Sequence, residues 1–323
     1  MSQKNSEFSK YDKEAAKILD GFLPHRIIDA HCHPDDFSKY LSDTAPLFGN
    51  RQRSVNMIPM PKAEMADPVT GKATEALSAS TENIRLQLAK HPEICGEIMA
   101  APGDTAEDIE KRILSAGKER VIGIKPYHLL SVKKPTMQAE AEEYTPECVW
   151  EAAQKHKLAI TMHLVKDASL SDPSNLSYVI DHAKRYPDAK LILAHCARSF
   201  AAWTGIESID KICSIDNIWY DFSAICESPQ MFMLLKKAGV SKCMWGSDYP
   251  ISLLAGKAIS LAGGFYWINE RDLSVFAEGG EFESWLIETE NLMAVRQAFK
   301  MLDLKEDSVE RFFSGTAHEL FGI

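Results

Sequence analysis

The residues best placed to do chemistry are His31 and His33, which flank Cys32 at the end of an apolar run, RIIDAH (26–31). Such a run reads as a β-strand, and in a strand residues i and i+2 project to the same side. Both imidazoles can then reach one metal ion while Cys32 points away. The pair alone is equally compatible with two histidines in a loop. Three further residues add weight: His163 ends LAITMH (158–163), His195 ends KLILAH (190–195) and Asp248 follows KCMWGS (242–247). Imidazole nitrogens with a carboxylate oxygen suit Zn²⁺ best, with Mn²⁺, Fe²⁺, Co²⁺ and Ni²⁺ as alternatives. A metal in such a site brings the pKa of its water close to neutral, and a carboxylate beside it can orient and deprotonate that water. A histidine not committed to the ion can exchange a proton at neutral pH. The competing interpretation is that the histidines and the carboxylate are separate core or capping residues.

Residues so distant in sequence meet only if the fold brings the strand ends together. Eight short runs rich in Ile, Val and Leu recur: RIIDAH, a weaker SVNMIP (54–59), CGEIMA (95–100), VIGIKP (121–126), LAITMH, KLILAH, NIWYDF (217–222) and KCMWGS. Most are continuous rather than alternating, as expected of strands buried on both faces. Helix signals lie between them. Thr105 precedes an acidic first turn, Thr145-Pro146-Glu147 and Ser228-Pro229 each open a helical stretch, and NLSYVIDHAKRYPD is ended by Pro187. The alternation predicts a parallel sheet, and eight strands predict a closed (β/α)₈ TIM barrel of the α/β class, whose strand C-terminal ends converge on one mouth. Residues 1–25 read as an N-terminal helical lead-in and 26–323 as the barrel. Two stretches exceed a minimal barrel. Residues 34–93, after the first strand, read as a long loop with a helix near 81–91. Residues 251–290, after the eighth, carry Phe265, Tyr266, Trp267, Phe276, Phe282 and Trp285, which suit a lid, a dimer contact or ordinary core.

The motifs IIDAHCH, GIKP, ITMHL, LILAHC, YDFS and WGSDYP, with the ending GTAHELFGI, resemble the amidohydrolase superfamily. More narrowly, the chain is similar to the amidohydrolase-2 branch, the predicted TIM-barrel metal-dependent hydrolases related to aminocarboxymuconate-semialdehyde decarboxylase. The resemblance covers residues 26–250 and the C-terminal segment. It implies that His31, His33 and His163 bind one divalent metal and that Asp248 ligates it or takes a proton from its water. It further implies that His195 is a substrate-facing acid/base or oxyanion stabiliser. Lys125 ends the fourth run, where two-metal members carry a carboxylated lysine. If so modified it would bridge two ions, with His163 and His195 on the second; unmodified, it would pair with Asp248 or hold a substrate carboxylate.

Other mouth candidates are Tyr127 and His128 beyond the fourth strand, Arg198 beyond the sixth and Ser223 beyond the seventh. Arg198 suits bidentate binding of a substrate carboxylate, with a surface arginine as the alternative. Tyr127 joins Lys125 and Arg198 as a substrate-binding candidate, and His128 reads as a loop or supporting residue. Strand alternation turns Cys32 and Cys196 away from the mouth, so packing rather than nucleophilic chemistry is expected of them.

Composition narrows the classes. The 323 residues carry 36 Lys and Arg against 46 Asp and Glu, a formal net charge of -10, which argues against sequence-independent nucleic-acid binding. Seven cysteines without a C-x-x-C indicate neither a disulfide framework nor a cysteine zinc cluster. The opening MSQKNSEFSKYDKE has no apolar core, and no run approaches the roughly 18–20 apolar residues that cross a bilayer. The expectation is a cytoplasmic enzyme, possible as a homodimer, with a small-molecule substrate and no nucleic-acid or membrane partner. Its leading activity is hydrolysis of a C–O or C–N bond in a small, carboxylated substrate by metal-activated water. The rival is a lyase, decarboxylase or hydratase, using the same site, and the remote alternative is a non-catalytic ligand-binding barrel.

Overall fold

The eight apolar runs fold as parallel strands in a computed structural model that describes residues 8–61, 72–131, 133–261, 263–269, 272 and 284–323. They are β1 (Arg26–Cys32), β2 (Gln52–Met57), β3 (Cys95–Ala100), β4 (Val121–Pro126), β5 (Ala159–Met162), β6 (Lys190–Leu193), β7 (Ile218–Asp221) and β8 (Cys243–Met244). Each pairs with its sequence neighbour, in the order β1 to β8. The barrel closes where Ala30 N–H donates to Trp245 O at 3.0 Å and Asp248 N–H donates to His31 O at 2.8 Å. The strands are buried on both faces, which explains their continuous apolar reading.

Helices alternate with the strands and cover the outer face. Thr105 and Asp108 form a reciprocal capping box at the start of Ala106–Ala116, whose Ile109 and Ile113 are buried. Removing each isoleucine from water contributes about 1.5–3 kcal/mol. Pro146 caps Glu147–His156, and Ser228-Pro229 opens Ser228–Lys237. The helix expected near Asn175 starts earlier, as Pro173–Arg185, because the Asp172 carboxylate accepts from the Ser174 and Asn175 N–H groups. Outside the barrel, the helix Lys10–Asp20 is docked by Asp12, whose carboxylate accepts from Leu286 N–H at 3.0 Å and Thr289 Oγ at 2.7 Å.

The two stretches expected as long mouth-side segments are more ordered than the sequence suggests. After β1 comes a short turn and the helix Phe37–Phe48, capped by Asp36. Then follow β2 and the helix Lys72–Lys90. The expected long loop over 34–93 therefore holds a helix, strand β2 and a second helix, with residues 62–71 outside those described. After β8 the chain forms an antiparallel hairpin of β9 (Lys257–Leu261) and β10 (Gly264–Ile268). Phe276 and Phe282 lie outside the described residues. Among the described residues no helix is long and apolar enough to cross a membrane.

Inside the barrel, Ile28, Ala30, Cys95, Ala159, Ile192 and Met244 form an apolar floor closed by Ala317, Leu320 and Phe321 of the C-terminal helix. Strict alternation would put Cys32 with Ile28 and Ala30, yet Cys32 packs outside with Phe37 and Tyr40. The register of β1 against β2 shifts between Asp29 and Cys32. This bulge re-aims the strand end, as bulges do, and turns His31 and His33 inward.

Candidate metal centre

His31 and His33 reach the barrel mouth from the end of β1, with ring centroids 4.9 Å apart. Each has its Nδ1 proton committed. His31 Nδ1 faces Asp221 Oδ2 at 2.9 Å, and His33 Nδ1 faces the Ile58 carbonyl at 2.9 Å. Both partners only accept, so both rings carry the proton on Nδ1 and a lone pair on Nε2. Those two Nε2 atoms lie 3.1 Å apart, and Asp248 Oδ1 lies 3.1 Å from His33 Nε2 and 3.7 Å from His31 Nε2. Three lone pairs thus converge on one point. Ligands about 2.0–2.2 Å from a tetrahedral Zn²⁺ stand about 3.3–3.6 Å apart, so these separations are close to three edges of such a site. The donor set fits a divalent cation.

The supports around these groups explain their geometry. Asp221, at the end of β7, is fully buried and also accepts from the N–H groups of His195 and Ser223, each at 3.1 Å, and from Ser223 Oγ. Burial works to raise its pKa, but His31 and His195 beside it hold the carboxyl well below the usual range. Burial likewise pushes His31 down to about 3, against the pull of Asp221, which keeps the ring neutral. Asp248 is ionised. Burial opposes the charge, yet His33, His195 and His31 bring its pKa to about 2. It sits at φ +64, a left-handed conformation that aspartate tolerates better than most residues. Gly246 passes so close to β1 that a Cβ there would stand 2.7 Å from the Cβ of His31. Asp29, whose pKa burial raises to about 6, ties the two strands by accepting from Ser247 N–H at 2.9 Å and Tyr40 OH at 3.0 Å.

His195 does not end a strand, as its run suggests. Residues His195, Cys196, Ala197 and Arg198 form a left-handed turn with φ between 54 and 58. Each non-glycine residue there costs about 1–2 kcal/mol, so the surroundings must impose the turn. They do so through Asp221 on His195 N–H, Ser169 Oγ on the Ala197 carbonyl at 2.9 Å, and Arg198 Nη1 on the Lys166 carbonyl at 2.7 Å. His195 Nδ1 donates to the Ser223 carbonyl at 3.0 Å, leaving its Nε2 free. Its ligating atom lies within 4.8 Å of those of His31 and Asp248. His163 stands one ring further out, 5.0 Å from His195 between centroids, and its Nδ1 is buried with no partner. The structure therefore gathers His31, His33, Asp248 and His195 most tightly, with His163 beside His195.

The remaining candidates line the same interior. Lys125 is 1 % exposed, with Nζ 5.3 Å from the Tyr127 ring centre. Burial lowers its pKa while Glu97, Asp221 and Asp248 oppose that shift. Glu97 Oε1 takes Asn56 Nδ2 at 2.7 Å and Thr161 Oγ at 2.6 Å, in space kept open by Gly123. The Tyr127 hydroxyl is committed to the Pro59 carbonyl at 2.6 Å. Arg198 is 6 % exposed rather than a surface residue, and its guanidinium lies over Phe265 of the hairpin at 5.5 Å. Phe265 stacks on Phe200 at 4.5 Å, and Phe200 lies 5.6 Å from the His195 ring. Cys32 and Cys196 are buried and their thiol pKa values are raised by burial, as packing residues. The sequence reading missed Asp221, although it stands one residue before the end of the seventh apolar run, NIWYDF.

Solved structures share this architecture at low identity. They include 5-carboxyvanillate decarboxylase from Sphingomonas paucimobilis (12% identity, TM-score 0.55, covering 93% of this chain and 100% of that one). Another is 4-oxalomesaconate hydratase from Rhodopseudomonas palustris (12%, TM-score 0.58, 92% and 95%). A third is an amidohydrolase from Burkholderia multivorans (11%, TM-score 0.57, 92% and 99%). No curated protein sequence matches the chain. At such identities the likeness concerns the fold. The amidohydrolase family model (Amidohydro_2) matches residues 28–323, and the chain is thus an enzyme of the amidohydrolase superfamily, belonging to its amidohydrolase-2 family.

Proposed function

We propose that the chain is a metal-dependent hydrolase of small carboxylated compounds, with His31, His33, His163 and Asp248 as metal ligands, His195 as proton-transfer residue, and Lys125 and Arg198 as substrate-carboxylate contacts. The observation that carries this reading is the convergence of two imidazole lone pairs and an ionised carboxylate, all three with no proton to share. A bound divalent ion, most simply Zn²⁺, would supply Lewis acidity toward a carbonyl and its attacking water. Asp248, ionised at neutral pH, is suited to accept the proton of that water. His195, with Nδ1 held by Ser223 and Nε2 open, is suited to pass a proton to the leaving group. Lys125 and Arg198 bring positive charge into a buried site. Asp248→Asn keeps the shape and removes the base; turnover should vanish while the thermal melt is retained, and a fully active variant would refute the assignment.

A lyase reaction in the same pocket is the second reading. It is favoured by the decarboxylase and hydratase among the structural relatives, and the same residues would deliver a proton to carbon after loss of CO₂. Turnover in ¹⁸O-water across lactones, amides and aromatic or unsaturated acids separates the two. Hydrolysis places solvent oxygen in a product whose C–O or C–N bond has been cleaved, hydration adds solvent oxygen and hydrogen with no bond of the skeleton cleaved, and decarboxylation releases CO₂ and places a solvent hydrogen on carbon.

A further inference from the structure

We propose that a second pocket beside the centre, built from Arg198, His128, Tyr144 and His163, takes a carboxylate remote from the reacting group, so that the substrate is a small dicarboxylic or more highly acidic compound. The proposal rests on reading the adjoining centre as the reaction site and adds a specificity site to it.

The argument is one of unmatched donors. The chain supplies an acceptor for Nδ1 of three of the central imidazoles: Asp221 for His31, the Ile58 carbonyl for His33 and the Ser223 carbonyl for His195. His163 Nδ1 is buried with no partner. Its neighbour His128, 4.9 Å away between ring centres, is 7 % exposed, and both its ring nitrogens are buried without partners. The Tyr144 ring lies 6.4 Å from that of His128, and its hydroxyl is also buried and unpartnered. Arg198 carries five N–H donors, yet its one hydrogen bond within the described chain goes to the Lys166 carbonyl, and no carboxylate there pairs with it. Asp167 and Glu140 act on Arg198 and Tyr144 only through space.

Burying polar groups without partners is unfavourable, and a buried cation without a counter-charge more so. His128 lies against His163 and Tyr144, and none of the three has an acceptor for these buried atoms, while Arg198, which acts on all three through space, has no counter-charge paired with it. A second metal ion would answer the free nitrogens but not the Arg198 guanidinium, which is itself positively charged and carries only N–H donors. A carboxylate answers all four. It brings negative charge to Arg198 and several lone pairs to the N–H and O–H groups, the pairing that guanidinium geometry favours. The rings of His31, His195, His163 and His128 follow one another at 5.0, 5.0 and 4.9 Å. The outer pair, His163 and His128, thus adjoins the centre through His195, so one small molecule bound at the centre can extend toward it.

Binding of isophthalate and of benzoate to the zinc-loaded protein, measured by calorimetry with zinc content determined on every sample, tests the proposal. A charge-assisted contact should make isophthalate bind about tenfold or more tightly than benzoate. His128→Leu and Tyr144→Phe should each narrow that gap without loss of zinc, and Arg198→Met should abolish it. Equal affinity for the two acids on the zinc-loaded wild type, or a gap unchanged in both His128→Leu and Tyr144→Phe, would overturn the pocket while leaving the metal reading intact. Preference for isophthalate in a protein that takes up no zinc would support the pocket and refute the metal reading.

Discussion

Asp221→Asn isolates the role of a fully buried residue behind the metal-facing imidazole. The carboxylate accepts His31 Nδ1–H on Oδ2 and three further donors on Oδ1. Asparagine keeps one oxygen for the Oδ1 partners but places an amide N–H₂ against His31 Nδ1–H. Two donors then oppose each other. The relief open to His31 is to move its proton to Nε2, the atom that faces His33 Nε2 and Asp248 Oδ1, and so to fill the lone pair aimed at the metal. Loss of the hydrogen-bond partner behind a ligating imidazole lowers metal affinity about 10–100-fold, which corresponds to about 1.4–2.8 kcal/mol. Alanine is the poorer test, because stripping a buried, paired charge costs about 3–5 kcal/mol in stability and would confuse unfolding with weakened binding. The assay is competition for Zn²⁺ with a chromophoric chelator, alongside circular dichroism to confirm an unchanged fold. Wild-type zinc affinity in a folded Asp221→Asn protein would refute the tautomer argument and, with it, the reading of the convergent lone pairs as a metal site.

Two other perturbations probe the scaffold. Gly246→Ala puts a methyl group 2.7 Å from the His31 Cβ; forcing β8 away from β1 should cost about 1–3 kcal/mol by urea denaturation and weaken zinc binding in parallel, and an unchanged midpoint would show that the strands have room to part. Glu288, buried behind the site, has its pKa raised from 4.5 to about 8, chiefly by burial and then by Asp29. A carboxyl whose folded pKa exceeds its unfolded value contributes stability that is complete below the unfolded pKa and is lost as pH rises through the folded one. Wild-type stability should therefore fall between about pH 5 and 8, and Glu288→Gln should flatten that fall; identical pH profiles would exclude Glu288 as its source.

Much of the scaffold was legible because both faces of each strand are buried. Continuous apolar runs such as CGEIMA and VIGIKP mark β3 and β4 to the residue. The weaker SVNMIP is displaced by two positions, since β2 starts at Gln52 and ends at Met57, ahead of Pro59, which has no N–H to donate. Strand-end placement was enough to put His31, His33 and Asp248 at one mouth, because a closed barrel gathers all strand ends there, but the bulge between Asp29 and Cys32 is what turns the two rings inward. The helix Phe37–Phe48 was missed, since its interior Pro46 reads as loop punctuation.

By itself, then, the sequence determined the barrel, its closure order and the histidines and aspartate that face one another across it. Short-range patterns carry these, because apolar periodicity and strand-end position are local properties. The tertiary structure alone decided how those residues are held. Asp221 meets His31 across 190 residues of chain, and its place at the end of a strand does not say which ring it will face. Four consecutive non-glycine residues from His195 to Arg198 adopt a left-handed turn that their own propensities oppose; it is held by hydrogen bonds to Asp221 and the Lys166 carbonyl and from the Ser169 hydroxyl. That turn buries Arg198 beside His128 and Tyr144, so the pocket of unmatched donors exists only in the folded chain.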